Sequence, residues 1–598
     1  MENILQLIES GFLRFGTTPC MRFKVKKEWV TWTWVDVERH LYELMGGLLK
    51  LGVAAGDKIA ILSNTRLEWT LADFAALSCG AITIPVYQSS LTDQVHYILT
   101  DADCSGIFVE DKKQLDKVLS VAAHLPKLKW IAVFDAAKIK AQCDRTPAVY
   151  KYSDLFEKDT FAAKAVFNKH KVTLTSDQDL TYVYTSGTTG DPKGVILTHH
   201  NFLSNAKVTT AISGLSPKDE ALSFLPLSHI MARLFQFVHF QAGFVQAFAE
   251  SIDHLFANIQ EIRPHFMVSV PRIFEKIHTK VVSDLNHASP LKRCIFNWAA
   301  AVGREATGLQ PRHWSRLFPG ALLVQRELAS RLVYRPLQQK LGGRIRFFIS
   351  GGAPLAQEIA EFFYTFDILI LEGYGLTETT APVTLNRPDR FKFGTVGLPL
   401  PNCDIKIAPD GEILVKGDPV FKGYYKNPQT TKECFQAGWF ATGDIGTLDA
   451  DGFLKITDRK KDIIVTSGGK NIAPQHIENI MKTIPLVSQF VVHGDKRKFL
   501  SALVVLDKEE LDKFVRSHRI AIPDGKQAWE SPEICKIIKD EIDNRNKELA
   551  SYETIKKFAI IGKEFTIDSG ELTPTLKVKR KVIGERYKEN LDQFYREG

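Results

Sequence analysis

Hydroxyls, glycines and one lysine crowd into a single run, Tyr184-Thr185-Ser186-Gly187-Thr188-Thr189-Gly190-Asp191-Pro192-Lys193-Gly194-Val195. Glycines expose backbone N–H groups and permit the concave turns that hold anions. The hydroxyls of Thr185, Ser186, Thr188 and Thr189 add donors, and the Lys193 ammonium adds a point charge. Together they suit a polyphosphate. The spacing Gly187-x-x-Gly190-x-x-Lys193-Gly194 is not GxxxxGK[ST]. Residues 180–184 and 195–197 both read as strands, so the loop joins two strands, whereas a Walker loop opens a helix.

Further runs of chemically capable residues follow in order: Leu225-Pro226-Leu227-Ser228-His229, Ser350-Gly351-Gly352-Ala353-Pro354, Glu372-Gly373-Tyr374-Gly375-Leu376-Thr377-Glu378, Trp439-Phe440-Ala441-Thr442-Gly443-Asp444, Asp458-Arg459-Lys460-Lys461-Asp462 and Leu572-Thr573-Pro574-Thr575-Leu576-Lys577. With the first loop, this ordered set resembles the adenylate-forming (AMP-binding) superfamily over nearly the whole chain. Within it the chain is most like the long-chain fatty acyl-CoA synthetases. That likeness rests on Val270-Pro271-Arg272-Ile273-Phe274-Glu275-Lys276-Ile277, a basic insert at 286–347, Ser467-Gly468-Gly469-Lys470-Asn471-Ile472-Ala473-Pro474 and the ending at Lys577.

The resemblance implies ATP-dependent conversion of a fatty acid to acyl-AMP and pyrophosphate, then transfer to CoA, with ATP, Mg2+ and CoA as cofactor or co-substrate. Joining two anions requires cations and oriented donors. By resemblance Lys193, Thr185, Ser186, Gly187, Thr188, Thr189 and Gly190 hold phosphates, and Gly351, Gly352 and Ala353 form the adenine-side loop. Tyr374, beside Gly375, stacks on adenine, and Thr377 donates to the α-phosphate. Glu378 holds Mg2+, which favours carboxylate and phosphate oxygens. Asp444, an acceptor only, takes the ribose hydroxyls, and Arg459 reaches ribose or phosphate. Lys577 bridges the substrate carboxylate and the α-phosphate. Lys461 is the hinge, Gly468 and Gly469 let the pantetheine arm pass, and His229 lies near the acyl carboxylate. Three positions after it the long-chain branch commonly has an acidic residue, where this chain has Ala232. Two rivals stand beside this reading. One is a fatty acyl-AMP ligase that delivers to a carrier protein, for which no obvious blocking insertion is visible between Thr379 and Trp439. The other is a non-catalytic lipid-binding or membrane scaffold, which predicts erosion of the chemical residues that are retained here.

The elements that must position these residues show in the patterning. Residues 34–51 carry apolar residues at helical spacing and end at Gly52, residues 57–62 read as a buried strand, and 81–86 as another. Such alternation predicts βαβ units and a mainly parallel sheet. Residues 136–178 are polar and irregular and read as a surface connection. From about residue 400, short strands at 403–407, 411–415 and 452–456 predict a separate β-rich subdomain. Beyond the charged junction, Pro474 sits where a helix N1 proline would, with strands at 489–493 and 500–506 and helices near 508–518 and 533–549. The expected fold class is α/β. A large multi-subdomain N-terminal domain (1–458) has layered α/β sheets plus a small β-barrel-like subdomain, a mobile α+β C-terminal domain covers 459–598, and the active site lies between them.

Composition bounds the rest. The 598 residues include 44% hydrophobic and 24% charged, which excludes wholesale disorder, collagen and a long coiled coil. A balance of 77 basic against 69 acidic residues, net +8, is carried as ordinary surface charge, so no nucleic-acid partner is expected. Eight scattered cysteines without CxxC spacing read as reduced thiols in a cytoplasmic enzyme. The most apolar stretch, 235–248, is too short to span a bilayer. The insert 286–347 carries eleven Lys or Arg against Glu305 and Glu327, with Phe296, Trp298, Trp314 and Phe318 among them. Two readings stay open for it: peripheral contact with the anionic inner face of a membrane, or a solvated helical pair. A homodimer also stays open.

Overall fold

The fold is taken from a computed structural model. It describes every residue except Lys138, Cys143, Arg145, 186–190, His287, 310–318, Gly468, Asp524, 567–568, 574–577 and 597–598, with Asn286 and Pro319 described by backbone alone. Local sequence sets the first units. Thr33 and Asp36 form a reciprocal capping box that starts the helix Trp34–Lys50, and Gly52, at φ +79°, follows its end. Gly56, at φ +85°, turns the chain into the buried strand Lys58–Leu62. That strand pairs in parallel with Ile82–Val86 on one side and Gly106–Val109 on the other, as the βαβ alternation requires.

Among the described residues, eight strands make this first sheet, ordered Gly423–Tyr424, Lys193–Thr198, Asp179–Thr185, Ile82–Val86, Lys58–Leu62, Gly106–Val109, Trp130–Val133 and Ala148–Lys151. A second sheet of nine strands has a parallel centre containing Phe266–Ser269, Phe347–Ser350 and the start of Ile370–Leu376. The most apolar stretch of the chain is folded into its core. The helix Ile230–Ala242 is buried almost throughout, and Gly243 (φ +80°) turns it into the strand Val245–Phe248. An antiparallel sheet of five strands, including Cys403–Ile407, Glu412–Gly417, Trp439–Leu448 and Leu454–Arg459, forms the β-rich subdomain.

One expectation is corrected. Residues 136–178 are not merely a surface connection: Ala148–Lys151 extends the first sheet in parallel with Trp130–Val133, and Phe161–Thr173 is a helix. Both are hard to read locally. The strand is a four-residue edge, and the helix buries only Ala163 and Phe167, so its apolar stripe is thin.

The chain past the charged junction has its own core of Ile477, Met481, Phe490, Leu500, Val504 and Ile538. There the helix Pro474–Met481, with proline at N1, packs near a sheet of Val487–His493, Leu500–Leu506 and Ile555–Ile561. In the basic insert, Ser289 caps the helix Pro290–Ala306, and Pro319–Ala329 continues through a π-helical turn, Ser330–Tyr334, into Arg335–Lys340. The buried Tyr334 hydroxyl donates to the Ala299 carbonyl at 2.7 Å and fastens the two helices. No helix among the described residues is long and apolar enough to cross a membrane.

Candidate active site

A cleft of about 2310 Å³ opens between the two sheets, the β-rich subdomain and the C-terminal part. Thr185, Lys193, His229, Gly351, Gly352, Ala353, Tyr374, Gly375, Thr377, Glu378, Asp444, Arg459 and Lys461 all line it. Residues separated by up to 276 positions in the chain therefore share one wall system. Ser186, Gly187, Thr188, Thr189, Gly190, Gly468 and Lys577 lie outside the described residues. Thr573 and 578–585, which flank Lys577, line the cleft.

On one wall the strand–loop–strand reading holds: Asp179–Thr185 and Lys193–Thr198 are antiparallel, with Thr185 opposite Lys193. The edge strand Gly423–Tyr424 pairs with the second of them, setting Tyr424 opposite Val195. The Lys193 ammonium lies 5.3 Å from the centre of the Tyr424 ring, within cation–π reach. The Tyr424 hydroxyl donates to Glu378 Oε1 at 2.8 Å. Burial and the Glu378 charge push the Tyr424 phenol well above its ordinary range, so it remains a donor. Tyr424 was missed by sequence reasoning, because only strand pairing brings it to Lys193.

Glu378 sits in the single turn Thr377–Thr379, and the turn is built under strain. Thr380 (φ +51°) and Ala381 (φ +68°) are consecutive non-glycine residues in the left-handed region, each costing on the order of 1–3 kcal/mol. Asn205 Nδ2 donates to the Thr380 carbonyl at 2.7 Å, and the Thr380 hydroxyl donates to the Pro419 carbonyl at 2.8 Å. Gly375 is required one strand away, since a Cβ there would collide with the Ala381 carbonyl. The surrounding structure thus holds the turn and its carboxylate in place.

In the same cleft, the Tyr374 hydroxyl donates to Asp444 Oδ2 at 2.7 Å, and Arg459 Nε lies 3.1 Å from Asp444 Oδ1, near enough to Glu378 to feel its charge. Asp444 and Arg459 are directly opposed on adjacent antiparallel strands. Burial and Asp444 push the Tyr374 phenol up. Gly351 N–H donates to the Ser269 carbonyl at 3.2 Å, and a Cβ on Gly351 would press within 2.8 Å of Met231 Sδ. Gly352 is left-handed at φ +82°. In the same row Glu372 is buried, accepts the Leu355 N–H at 3.2 Å and is pushed up to about 8 by desolvation.

His229 caps the helix Ile230–Ala242, its Nδ1 accepting the Met231 N–H at 3.3 Å. One turn on, Arg233 forms a fully buried ion pair with Asp73 at 2.7 Å and also donates to Thr83 and Thr181. Thr181 belongs to the strand that leads into the Thr185 loop, so one guanidinium ties the His229 helix to that strand. An arginine and an aspartate inside apolar helical runs were the available signal.

At the junction, Asp462 N–H donates to the Arg459 carbonyl at 2.9 Å, closing a turn that exposes Lys460 and Lys461. Lys460 pairs with Asp410 at 2.7 Å and Glu412 at 2.9 Å. Asp458 is buried and accepts N–H groups from Arg459 (2.6 Å) and Gln475 (3.2 Å). Desolvation raises its carboxyl to about 6. Gly469, left-handed at φ +74°, lies in the turn between Thr466 and Lys470, outside the cleft.

Residues 12–425 match the AMP-binding enzyme model, and residues 461–598 match the AMP-binding enzyme C-terminal domain. The chain belongs to the AMP-binding enzyme family. It is 37% identical over 575 residues to the long-chain-fatty-acid–CoA ligase FadD15 of Mycobacterium bovis, covering 95% of this chain and 92% of that protein. It is 34% identical over 581 residues to fatty acyl-CoA synthetase A of Dictyostelium discoideum, covering 92% and 83% respectively. Among solved structures it is similar to the adenylation domain of a carboxylate reductase from Mycobacterium chelonae. The TM-score is 0.78 at 22% identity, over 99% of this chain and 91% of that one, which establishes the shared fold. The α/β architecture with a large N-terminal and a small C-terminal domain is that of adenylate-forming enzymes.

Proposed function

We propose that this chain activates a long-chain fatty acid with ATP, giving acyl-AMP and pyrophosphate, and then transfers the acyl group to CoA, releasing AMP. The observation that carries the reading is the convergence of two clusters, Lys193 with Tyr424 and Glu378, and Tyr374 with Asp444 and Arg459, in one cleft. The first cluster offers a cation and an oriented carboxylate, suited to a metal-bound polyphosphate. The second offers a buried acceptor of the kind that binds vicinal hydroxyls.

In the first step a fatty-acid carboxylate oxygen attacks the α-phosphorus, and the bond to pyrophosphate breaks. Lys193 and the loop from Thr185 receive the developing pyrophosphate charge, and Thr377 donates to the α-phosphate. Lys577 is assigned to bridge the two anions, and Arg459 and Asp444 to hold the ribose end. Glu378 would hold Mg2+ together with ATP oxygens. A single carboxylate already oriented by Tyr424 fits an ion that takes one or two carboxylates plus phosphates. When bound, the ion supplies charge neutralisation at the phosphates. In the second step the CoA sulfur attacks the acyl carbonyl, a C–S bond forms and AMP leaves with its C–O bond broken. Gly468 and Gly469 are assigned to the pantetheine path and Lys461 to the pivot of a C-terminal unit beginning near residue 459. Gly469 outside the cleft and 578–585 within it suit the first step more than the second.

The insert 286–347 is read as contacting an anionic membrane from the cytoplasmic side. Val324, Leu328 and Leu332 recur every four residues, with Leu323 beside them, and all four are exposed on one helical run. Arg331 and Arg335 flank this stripe, partly balanced by Glu327. The experiment for the reaction is a panel of fatty acids with ATP and CoA. Acyl-CoA and AMP should form together and depend on both co-substrates. ADP as product, or no CoA dependence, would overturn it.

A further inference from the structure

The segment assigned to the pantetheine path is a small hairpin. Ile464–Val465 and Asn471–Ile472 pair antiparallel, and near the tip Thr466 N–H donates to the Lys470 carbonyl at 3.1 Å and Gly469 N–H to the Thr466 carbonyl at 2.9 Å. Hairpins this short are marginal by themselves. Ile464 and Ile472 fasten its base in the C-terminal core. Its outer edge rests on the turn 494–499, between the strands Val487–His493 and Leu500–Leu506. Val465 N–H donates to Asp495 Oδ1 at 3.1 Å, Lys496 N–H donates to the Val465 carbonyl at 2.8 Å, and Ser467 N–H donates to the Arg497 carbonyl at 3.0 Å. The last of these bonds stands directly beside Gly468 and Gly469.

The turn is in its turn held by the helix Lys588–Arg596. The Tyr595 hydroxyl donates to the Phe499 carbonyl at 3.2 Å and lies 2.8 Å from Ser501 Oγ. The Tyr595 ring packs on Phe499 with centroids 4.8 Å apart, and the Arg497 guanidinium sits 4.7 Å from the centre of the same ring. Arg497 also pairs with Asp592, one helical turn before Tyr595. A partly exposed ion pair alone contributes little; here it is joined by a ring contact and two hydrogen bonds at one place. Leu591, buried with Val491 and Leu503, fixes the helix to the sheet.

The segment that follows Lys577 is anchored elsewhere. Arg580 makes two hydrogen bonds to Glu478, each of 2.7 Å, and Arg586 donates to Glu571 at 2.7 Å. The lysine side and the glycine side of the C-terminal unit therefore have separate supports.

We infer that Tyr595 and Asp592 are positioning residues for the second half-reaction: through Arg497 they hold the Gly468-Gly469 hairpin rigid within the C-terminal unit, so that it is delivered to the thiol arm of CoA in one shape. The inference rests on the CoA-side reading above and adds the residues that act through it.

The test uses the full-length wild type, Tyr595→Phe, Tyr595→Ala and Asp592→Asn, with melting curves and three readouts. These are hydrogen–deuterium exchange over 463–472, conversion of supplied palmitoyl-AMP and CoA to palmitoyl-CoA, and ATP–pyrophosphate exchange with palmitate. Exchange over 463–472 should quicken in all three variants. The kcat/KM for CoA should fall about two- to tenfold in Tyr595→Phe, which loses the hydroxyl and keeps the ring. It should fall on the order of 100-fold in Tyr595→Ala, the scale of a misplaced reacting group. ATP–pyrophosphate exchange should stay at the wild-type rate. Should Tyr595→Ala fail to fold, Tyr595→Phe and Asp592→Asn decide. Unchanged hydrogen exchange over 463–472 would overturn the support and leave the CoA-side reading standing, and so would equal losses in both half-reactions. A loosened hairpin with undiminished transfer would overturn the placing of Gly468 and Gly469 on the CoA side, and the inference with it. A wild type that forms no palmitoyl-CoA from palmitoyl-AMP would overturn CoA as acceptor.

Discussion

Tyr424→Phe removes one oxygen and leaves the ring. The ring keeps its cation–π contact with Lys193 at 5.3 Å, and the half-buried site suffers no cavity. What is lost is the 2.8 Å hydrogen bond to Glu378 Oε1. A hydrogen bond to a charged group contributes about 1.5–3 kcal/mol, roughly 10- to 150-fold if all of it acts in the transition state. Partners that orient a metal-binding carboxylate typically cost about 10–100-fold when removed. ATP–pyrophosphate exchange should therefore fall by about one to two orders of magnitude in Tyr424→Phe, with a higher Mg2+ requirement. Glu378→Gln should cost roughly 10² or more. The double variant should be little worse than Glu378→Gln alone, because the tyrosine acts through the glutamate. Unchanged exchange and Mg2+ dependence in Tyr424→Phe would refute the reasoning, and so would strictly additive losses.

Three further outcomes are expected. Glu372 is held at about 8 in the folded chain against 4.5 ordinarily. The native state thus binds the extra proton, and its stabilising effect, complete below about pH 4.5, is lost as pH rises towards 8 with a slope of up to about 1.4 kcal/mol per unit. Glu372→Gln should raise the melting temperature at pH 8 but not at pH 4.5; equal shifts at both would contradict the buried neutral carboxyl. Vesicle binding should rise with anionic lipid, fall with salt and weaken when Arg326, Arg331 and Arg335 are neutralised together, and should weaken at all salt concentrations in Val324→Ser/Leu328→Ser/Leu332→Ser. Binding indifferent to both sets would leave the insert as a solvated helical pair. Lys461→Pro should keep adenylation and lose most transfer to CoA, since proline restricts φ at a hinge. Lys577→Ala should lose adenylation yet convert supplied acyl-AMP, and equal failure of both variants in both steps would defeat the rotation.

Local signals were legible where chemistry and geometry are both encoded within a few residues. The strands flanking the Thr185–Lys193 loop, the proline-started helix at Pro474 and the Leu500–Leu506 strand all follow from such runs. What stayed hidden depends on distant pairing. Tyr424 reaches Glu378 and Lys193 only because an edge strand of two residues joins the first sheet. The Asp73–Arg233 pair spans 160 residues, and each partner alone looks like a stray charge in an apolar helix. The strained Thr380–Ala381 turn has no sequence marker, because the left-handed positions carry no glycine. The Ala148–Lys151 edge was lost for the opposite reason: four residues are too few for a period to show.

The acyl-adenylate itself is tested most directly by oxygen transfer. A long-chain fatty acid labelled with 18O in both carboxylate oxygens is turned over with unlabelled ATP and CoA, and the AMP and acyl-CoA are weighed by mass spectrometry. If a carboxylate oxygen attacks the α-phosphorus, each AMP carries one 18O in its phosphate and the acyl-CoA keeps the other. Unlabelled AMP, or label found in pyrophosphate or in phosphate released alongside ADP, would contradict an acyl-AMP intermediate at this site.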